Sequence, residues 1–358
     1  MRIAIDASSA AVPQKTGIAK YVHRLIENLE ELDTENEYVV LYRLSRWKRR
    51  GCFYAPRKKT TTIKLFQEPV FSGRGIDVFH GPDARIPRIR GPKLVATVHD
   101  VFSLVSDQFA DAKFRERKIT HYRDIAARAD RIICDSDATR RDFVRFFPKA
   151  ESKICVIHLG VDDQFYPRPE AEVRQIKAKY GIASDYILFV GALSIRKNML
   201  RMFDAFLSAR QRLGANLQFV AAGKLAYGKE QILEYVKEHH CESEILLPGY
   251  VQDAELPALY SGARLFLFTT LYEGFGVPIL EALACGAPVL TSNNSAMSEI
   301  APGATRLVDP LSTERMAEEI VSMLRQNNAC GQKKPNVMAH PVPTWKEMAE
   351  RILAVYHE

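Results

Sequence analysis

An α/β fold built from two doubly wound sheets is predicted by three observations. Short apolar runs of strand length alternate with longer stretches of helical period along most of the chain. The alternation stops in a charged stretch holding Pro167 and Pro169 and starts afresh at Tyr186. The length, 358 residues, exceeds the roughly 250–300 that one hydrophobic core organises. The reading is a first domain over 1–170, a second over 171–342, and a closing helix over 343–358 that packs back toward the first. Two facing α/β domains leave a cleft, the usual place for a ligand.

Arg2 to Asp6 is a short strand of buried type, followed by a polar loop to Gly17 and a helix whose apolar side carries Tyr21, Leu25 and Leu29. Strands follow at Glu37–Tyr42, Asp77–His80 and Lys93–Val98. Next come helix Ala112–Arg128, strand Arg131–Cys134, helix Ala138–Phe147 and strand Ile154–Ile157. Strands joined through helices pair in parallel. The boundary region spans 167–183. Beyond it the pattern gives strand Tyr186–Val190, helix Met199–Leu213, strand Leu217–Ala221, helix Lys229–Glu238 and strand Ile245–Leu247. Helix Asp253–Tyr260, strand Leu265–Phe268, helix Pro278–Cys285, strand Pro288–Thr291 and helix Ser312–Leu324 complete a second sheet. A polar connector, 327–342, precedes the amphipathic closing helix Trp345–Tyr356.

With 47% hydrophobic and 26% charged residues, the composition excludes a disordered chain, a collagen-like repeat and a disulfide-stapled mini-protein. The net charge is +7, and it is unevenly placed. Residues 1–170 hold 31 basic and 23 acidic side chains, while 171–358 hold 19 and 20. Such asymmetry suggests either a large anionic partner for the first half, a nucleic acid or a lipid surface, or a charge that serves solubility alone. Six cysteines form no C-x-x-C pair and no metal-ligand spacing, and so read as reduced thiols of a cytoplasmic protein. No apolar run suits a signal peptide or a membrane span, so membrane contact is expected to be peripheral.

Two segments carry chemistry. In LFLFTTLYEGFGVPILE, Leu265 to Glu281, a strand ends, a loop holds Gly274 and Gly276, and Pro278 stands in a helix's first turn, where proline wastes no donor. Backbone N–H groups of such a loop, with the positive end of the helix, seat a phosphate. Glu273 and Glu281 flank that seat. Carboxylates are poor phosphate ligands, but they accept hydrogen bonds from hydroxyl-rich groups on either side of a diphosphate, a sugar at one end and a ribose at the other. The apolar neighbours Ile279, Leu280, Ala282 and Leu283 place Glu281 on a largely buried helix, where an idle carboxylate is costly. In YILFVGALSIRKNMLRMFDAF, Tyr186 to Phe206, Gly191 follows a strand and Arg196 and Lys197 precede a helix, supplying a bidentate clamp and a point charge for phosphate.

These segments resemble the donor-binding half of the retaining glycosyltransferases of family four, a group that includes mannosyltransferases and has the GT-B architecture. The resemblance rests on the Glu, seven residues, Glu motif with its GFG insert, on G-x-x-x-x-R-K-N, and on CGAPVLTSNNSAMSEI. It extends to the first half through Gly17 in TGIAKY, His80-Gly81-Pro82, His99-Asp100, Ser136 in ICDSDATRRD, and Gly160-Val161-Asp162. It implies two facing Rossmann-like domains with an interdomain cleft. It also implies that Arg196 and Lys197 bind the donor diphosphate and stabilise the departing nucleoside diphosphate. Glu281 would take the ribose hydroxyls and Glu273 the transferred sugar. Gly191 and the backbone of Gly274, Phe275, Gly276, Val277 and Pro278 would hold sugar and phosphate. His99 would reach the sugar from the first domain, Gly17 would close over diphosphate or acceptor, and Asp100 and Ser136 join the substrate-side residues. Ala19 departs from the family, which often has a second glycine there.

The implied substrate is a nucleotide sugar, GDP-mannose first and a UDP-sugar second. The acceptor is a glycan or a lipid-pyrophosphate of cell-surface polysaccharide or lipopolysaccharide assembly. No cofactor and no metal is expected, and transfer proceeds with retention by front-face attack. Asp135-Ser136-Asp137 matches a metal-binding Asp-x-Asp, but between strand and helix it reads as a cap. His239 and His240 read as surface histidines. No dinucleotide-binding or P-loop fingerprint appears. A GT-B epimerase or phosphorylase is the enzymatic rival. A nucleic-acid-binding protein is the other, though the basic-plus-aromatic platform it needs is missing. Basic clusters at Trp47–Arg50, Arg57–Lys59, Arg85–Lys93 and Arg115–Lys118, with Trp47, Phe53 and Tyr54, point instead to an anionic bilayer or a lipid-pyrophosphate acceptor.

Overall fold

The computed structural model describes residues 1–15, 17–68, 70–329 and 342–358, with 327–329 described by backbone alone. The chain forms two units. One comprises Met1–Asp107, Asp111–Gly160 and Pro343–Glu358; the other comprises Gln108–Ala110 and Val161–Val342. The division therefore lies between Gly160 and Val161 and not at 170/171. Residues just before 170 pack in the second unit, where the Arg168 N–H donates to Ser261 Oγ at 2.9 Å.

The first unit opens with β1 (Arg2–Asp6), whose Ile3, Ala4 and Ile5 are fully buried, as suits a parallel strand covered on both faces. Helix α1 (Ile18–Leu32) lays Tyr21, Val22, Leu25, Ile26 and Leu29 into the core. Then follow β2 (Glu37–Arg43), β3 (Thr61–Phe66), β4 (Val78–Gly81), β5 (Lys93–Val98), α2 (Phe102–Val105), α3 (Ala112–Arg128), β6 (Arg131–Cys134), α4 (Asp137–Phe146) and β7 (Ile154–Val156). The parallel sheet runs β3-β2-β1-β4-β5-β6-β7. Its edge strand β3 lies outside the strands that the sequence pattern predicts, and its four central residues are exposed. The closing helix, Trp345–His357, begins with a capping box of Thr344 and Glu347 and belongs to this unit. It packs against α1. The Tyr356 hydroxyl meets His80 Nδ1 at 2.6 Å, and Lys93 Nζ donates to the Val355 carbonyl at 2.6 Å.

The second unit contains α5 (Glu170–Lys179), β8 (Asp185–Val190), α6 (Met199–Leu213), β9 (Leu217–Ala222), α7 (Lys229–Glu238), β10 (Ile245–Gly249), α8 (Leu256–Gly262), β11 (Leu265–Phe268), α9 (Val277–Ala284), β12 (Val289–Ser292), β13 (Arg306–Val308) and α10 (Thr313–Ala329). Its sheet runs β10-β9-β8-β11-β12-β13, all parallel. The polar connector expected over 327–342 is still helix at Ala329, and 330–341 lie outside the described residues. Strand order reverses between β1 and β4 in one sheet and between β8 and β11 in the other. A crevice opens at such a switch point outside the carboxyl ends of the strands.

Candidate active site

In the second unit the two segments singled out from the sequence meet at this switch point. β8 and β11 are neighbours, with Ile187 beside Leu265, so the loops leaving their carboxyl ends share one rim. From the β8 loop Arg196 Nη1 donates to Glu273 Oε1 at 2.8 Å and to the Tyr272 carbonyl at 2.5 Å. Lys197 Nζ pairs with the same Glu273 oxygen and lies 5.0 Å from the Phe268 ring centroid. The three charged side chains are 16%, 10% and 13% exposed for Arg196, Lys197 and Glu273. Burial would raise the Glu273 pKa, but the two cations outweigh it and hold the carboxyl below the usual range.

Backbone geometry fixes this cluster. Asn198 takes the left-handed conformation that asparagine tolerates, and its amide donates to the Thr269 carbonyl at 3.0 Å and to Pro310 at 2.7 Å. The Leu271 N–H donates to the Arg196 carbonyl, and the Glu273 N–H to Ser295 Oγ at 3.2 Å. Ser295 stands within CGAPVLTSNNSAMSEI and Tyr260 five residues before Leu265, but nothing in the sequence marks either as a partner of the two glutamates. Gly191 follows β8 directly, and Gly274 and Phe275 lead to Gly276, the residue before α9. Gly276 has φ 138°, and a Cβ there would stand 2.8 Å from Met297 Cε. Val277 and Pro278 form the first turn of α9. Glu281 lies on the same helix, 5% exposed, and accepts a hydrogen bond from the buried Tyr260 hydroxyl at 3.1 Å. Burial and the Glu281 charge push the Tyr260 pKa well above its ordinary value, so it stays a donor.

In the first unit Val98 pairs with Cys134 across β5 and β6, so the next residues, His99 and Asp135, leave the sheet side by side. His99 Nδ1 lies 2.7 Å from Asp135 Oδ2, and Nε2 lies 2.8 Å from the Pro82 carbonyl. A carbonyl and a carboxylate both accept, so both ring nitrogens carry hydrogen. Burial opposes that charge, but Asp135 and the Pro82 carbonyl prevail and the His99 pKa is raised. Tyr21 packs edge-on against the ring, 4.6 Å between centroids, and its hydroxyl meets Thr97 Oγ1 at 2.9 Å. Thr97 Oγ1 in turn meets His80 Nε2 at 2.8 Å. Gly17 precedes α1 at φ 51° and ψ −121°, a conformation suited to glycine. The Asp100 carbonyl accepts from the Tyr122 hydroxyl at 3.0 Å.

Ser136 does not fit a substrate-side residue. It is fully buried, and its Oγ caps α4 by accepting the Thr139 N–H at 3.0 Å. Asp137 pairs with Arg140 at 3.0 Å while Asp135 holds His99. Among the described residues no group of three or more His, Cys, Asp or Glu is arranged to hold a metal, and no helix is long and apolar enough to cross a membrane. The aromatic cluster near the basic runs is also smaller than expected. Tyr54 is buried with its hydroxyl on Glu30, and Phe53 stacks on Tyr42 at 3.7 Å, leaving Trp47 exposed.

Residues 16–165 match the family model Glycosyltransferase Family 4, and residues 172–339 match Glycosyl transferases group 1. The chain is similar to O-antigen chain mannosyltransferase B of Escherichia coli, 28% identical over 70% of this chain and 66% of that one. It is also similar to the GDP-mannose-dependent alpha-(1-6)-phosphatidylinositol dimannoside mannosyltransferase of Mycobacterium tuberculosis, 28% identical over 68% and 58%. The matched region thus spans less than two thirds of either relative. Among solved structures, sucrose-phosphate synthase from Thermosynechococcus elongatus matches with a TM-score of 0.76 at 18% identity, covering 100% of this chain and 98% of that one. The fold is GT-B. With the two models together matching most of its length, the chain belongs to the family 4, group 1 glycosyltransferases.

Proposed function

We propose that the chain is a retaining, metal-independent glycosyltransferase. It moves a hexose, first of all mannose from GDP-mannose, to a glycan or lipid-linked acceptor of cell-surface polysaccharide assembly on the cytoplasmic side. The observation that carries this reading is the Arg196–Lys197–Glu273 cluster at the β8/β11 switch point. Two cations held on one carboxylate are poised to trade it for a diphosphate, whose charge grows as the sugar leaves. In the reaction the anomeric carbon–phosphate oxygen bond breaks and a bond to the acceptor oxygen forms. The acceptor proton passes to a phosphate oxygen. Glu273, released from its cations, and the backbone of Gly274 to Val277 orient the sugar, and Glu281 accepts from ribose hydroxyls. His99, protonated on both nitrogens, supplies a cation and not a base. The relatives' names support mannose as the sugar.

The test is a panel of GDP- and UDP-sugars with glycan and lipid-linked acceptors, products read by mass spectrometry and anomeric NMR. An acceptor-dependent product with retained configuration from GDP-mannose is expected. Turnover without acceptor, release of sugar phosphate from a glycan, or an inverted product would overturn the proposal.

A further inference from the structure

From Leu44 to Gln67 the chain carries eight Lys or Arg and no Asp or Glu. The segment forms one rim of the first unit: a 3-10 turn over Leu44–Cys52, then the edge strand β3. Apolar side chains stand exposed on it, Leu44 at 48%, Trp47 at 51%, Ile63 and Leu65 at 38% each. Arg50 stacks its guanidinium 5.1 Å over the Trp47 ring. Two of the cations have partners within the unit, since Arg57 pairs with Glu27 and Lys58 Nζ donates to the Glu31 carbonyl. Arg46, Lys48, Arg49, Arg50, Lys59 and Lys64 remain on the same segment as the exposed apolar residues.

The other basic runs differ. Arg85 donates to Glu68, Lys93 to Val355, Arg115 to the Ser103 carbonyl and Lys118 to Asp83. Four of the seven cations in those runs are thus held within the unit, against two of the rim's eight.

We propose that this rim, the Leu44–Cys52 turn with the exposed residues of β3, docks on an anionic lipid bilayer. A bilayer interface offers what the rim lacks: anionic head groups for the cations, and a boundary region that takes a tryptophan and aliphatic side chains. A second copy paired along the β3 edge would set two such uncompensated rows of cations side by side. A single-stranded nucleic acid needs several stacking rings, and here Trp47 stands exposed while Tyr54 is buried. The proposal does not rest on the donor chemistry.

Vesicle co-sedimentation of the whole chain tests it. Binding to phosphatidylglycerol-containing vesicles, absent with pure phosphatidylcholine and weakened by salt, is expected. Arg49→Glu with Arg50→Glu should weaken it at least twentyfold, at about fivefold for each cation removed. Arg117→Glu, on α3, should leave it unchanged. Tryptophan fluorescence gives a folding-independent reading, because Trp345 is buried and Trp47 exposed. Brominated lipids should quench the wild type and not Trp47→Phe. The double variant should still bind nucleoside diphosphate, which separates this failure from failure of the donor site. Equal binding to neutral vesicles, no response to the double reversal, unquenched Trp47, a dimer lost on reversal, or retention on nucleic acid in place of vesicles would each overturn the proposal.

Discussion

Replacing Glu273 with glutamine should lower stability and raise nucleotide affinity in the same protein. Glu273 Oε1 serves both Arg196 and Lys197, and none of the three side chains is more than 16% exposed. Removing one partner of a fully buried pair costs about 3–5 kcal/mol. The residual exposure here lets solvent answer part of the freed charge, so about 2–3 kcal/mol is expected. For a unit of this size that is a fall in Tm of roughly 5–10 °C in the second unit's transition. Added nucleoside diphosphate should then stabilise the variant more than the wild type, whose cations must first let go of the carboxylate. At a hundredfold excess over Kd the ligand restores about 2.7 kcal/mol, enough to close the gap. Transfer should be severely reduced, because the sugar loses its carboxylate. Acidification should weaken the wild type in the same way. The Glu273 pKa is depressed, so its contribution is present above the ordinary carboxylate pKa and is lost as pH falls through the lower folded value. Scanning calorimetry with and without GDP decides. A variant as stable as the wild type, or equal stabilisation of both by GDP, would refute the idea that carboxylate and diphosphate compete for these cations.

Arg196→Ala should lower kcat/KM by about 10²–10³ under donor-varied kinetics, as for loss of one aimed charged donor. Ser136→Ala should cost about 1 kcal/mol in denaturant unfolding by loss of the cap and leave the donor KM unchanged; a tenfold rise in KM would return Ser136 to the substrate side. Transfer should persist in EDTA, and a metal-reversible loss would argue for a bound cation. His80, with its pKa pushed down to about 3 chiefly by burial, is held neutral. The contribution of neutral His80 to the first unit's stability should therefore be complete above pH 6.5 and be lost at about 1.4 kcal/mol per pH unit between there and about 3. His80→Gln should flatten that slope in acid-unfolding curves.

Where the sequence pattern is driven by burial, it locates the element, and the wholly buried strands β4, β9 and β12 fall within one residue of their expected bounds. β1, β5, α3, α6 and α7 lie at the bounds their apolar periodicity predicts. β3 escapes because the Ile63-Lys64-Leu65 alternation is short and reports no core face, since only the end residues Thr61 and Phe66 are buried. α5 escapes because Val173 is its one fully buried residue. The same distinction applies to the site. Arg196, Lys197, Glu273 and Glu281 announce themselves through glycines, a proline and adjacent charges within short motifs. Their partners are set by strand register and tertiary contact. Asp135 meets His99 because β5 and β6 pair one residue earlier, and Tyr260 reaches Glu281 from α8. The aromatic count near the basic runs misled for the converse reason: Tyr54 is polar enough to read as surface, but it spends its hydroxyl on a buried Glu30.

The closing helix imposes an order on synthesis. The chain leaves the first unit at Gly160, builds the second, and returns at Pro343. A ribosome therefore releases the seven strands of the first sheet well before the helix that covers α1 and completes the His80 hydrogen bonds. Until then the seat of Tyr356 stands open, and the second unit can mature while the first waits. The first unit is thus a split domain whose last piece acts as a latch. A fragment ending at Gly160 should remain incompletely folded until a peptide of residues 343–358 is supplied in trans.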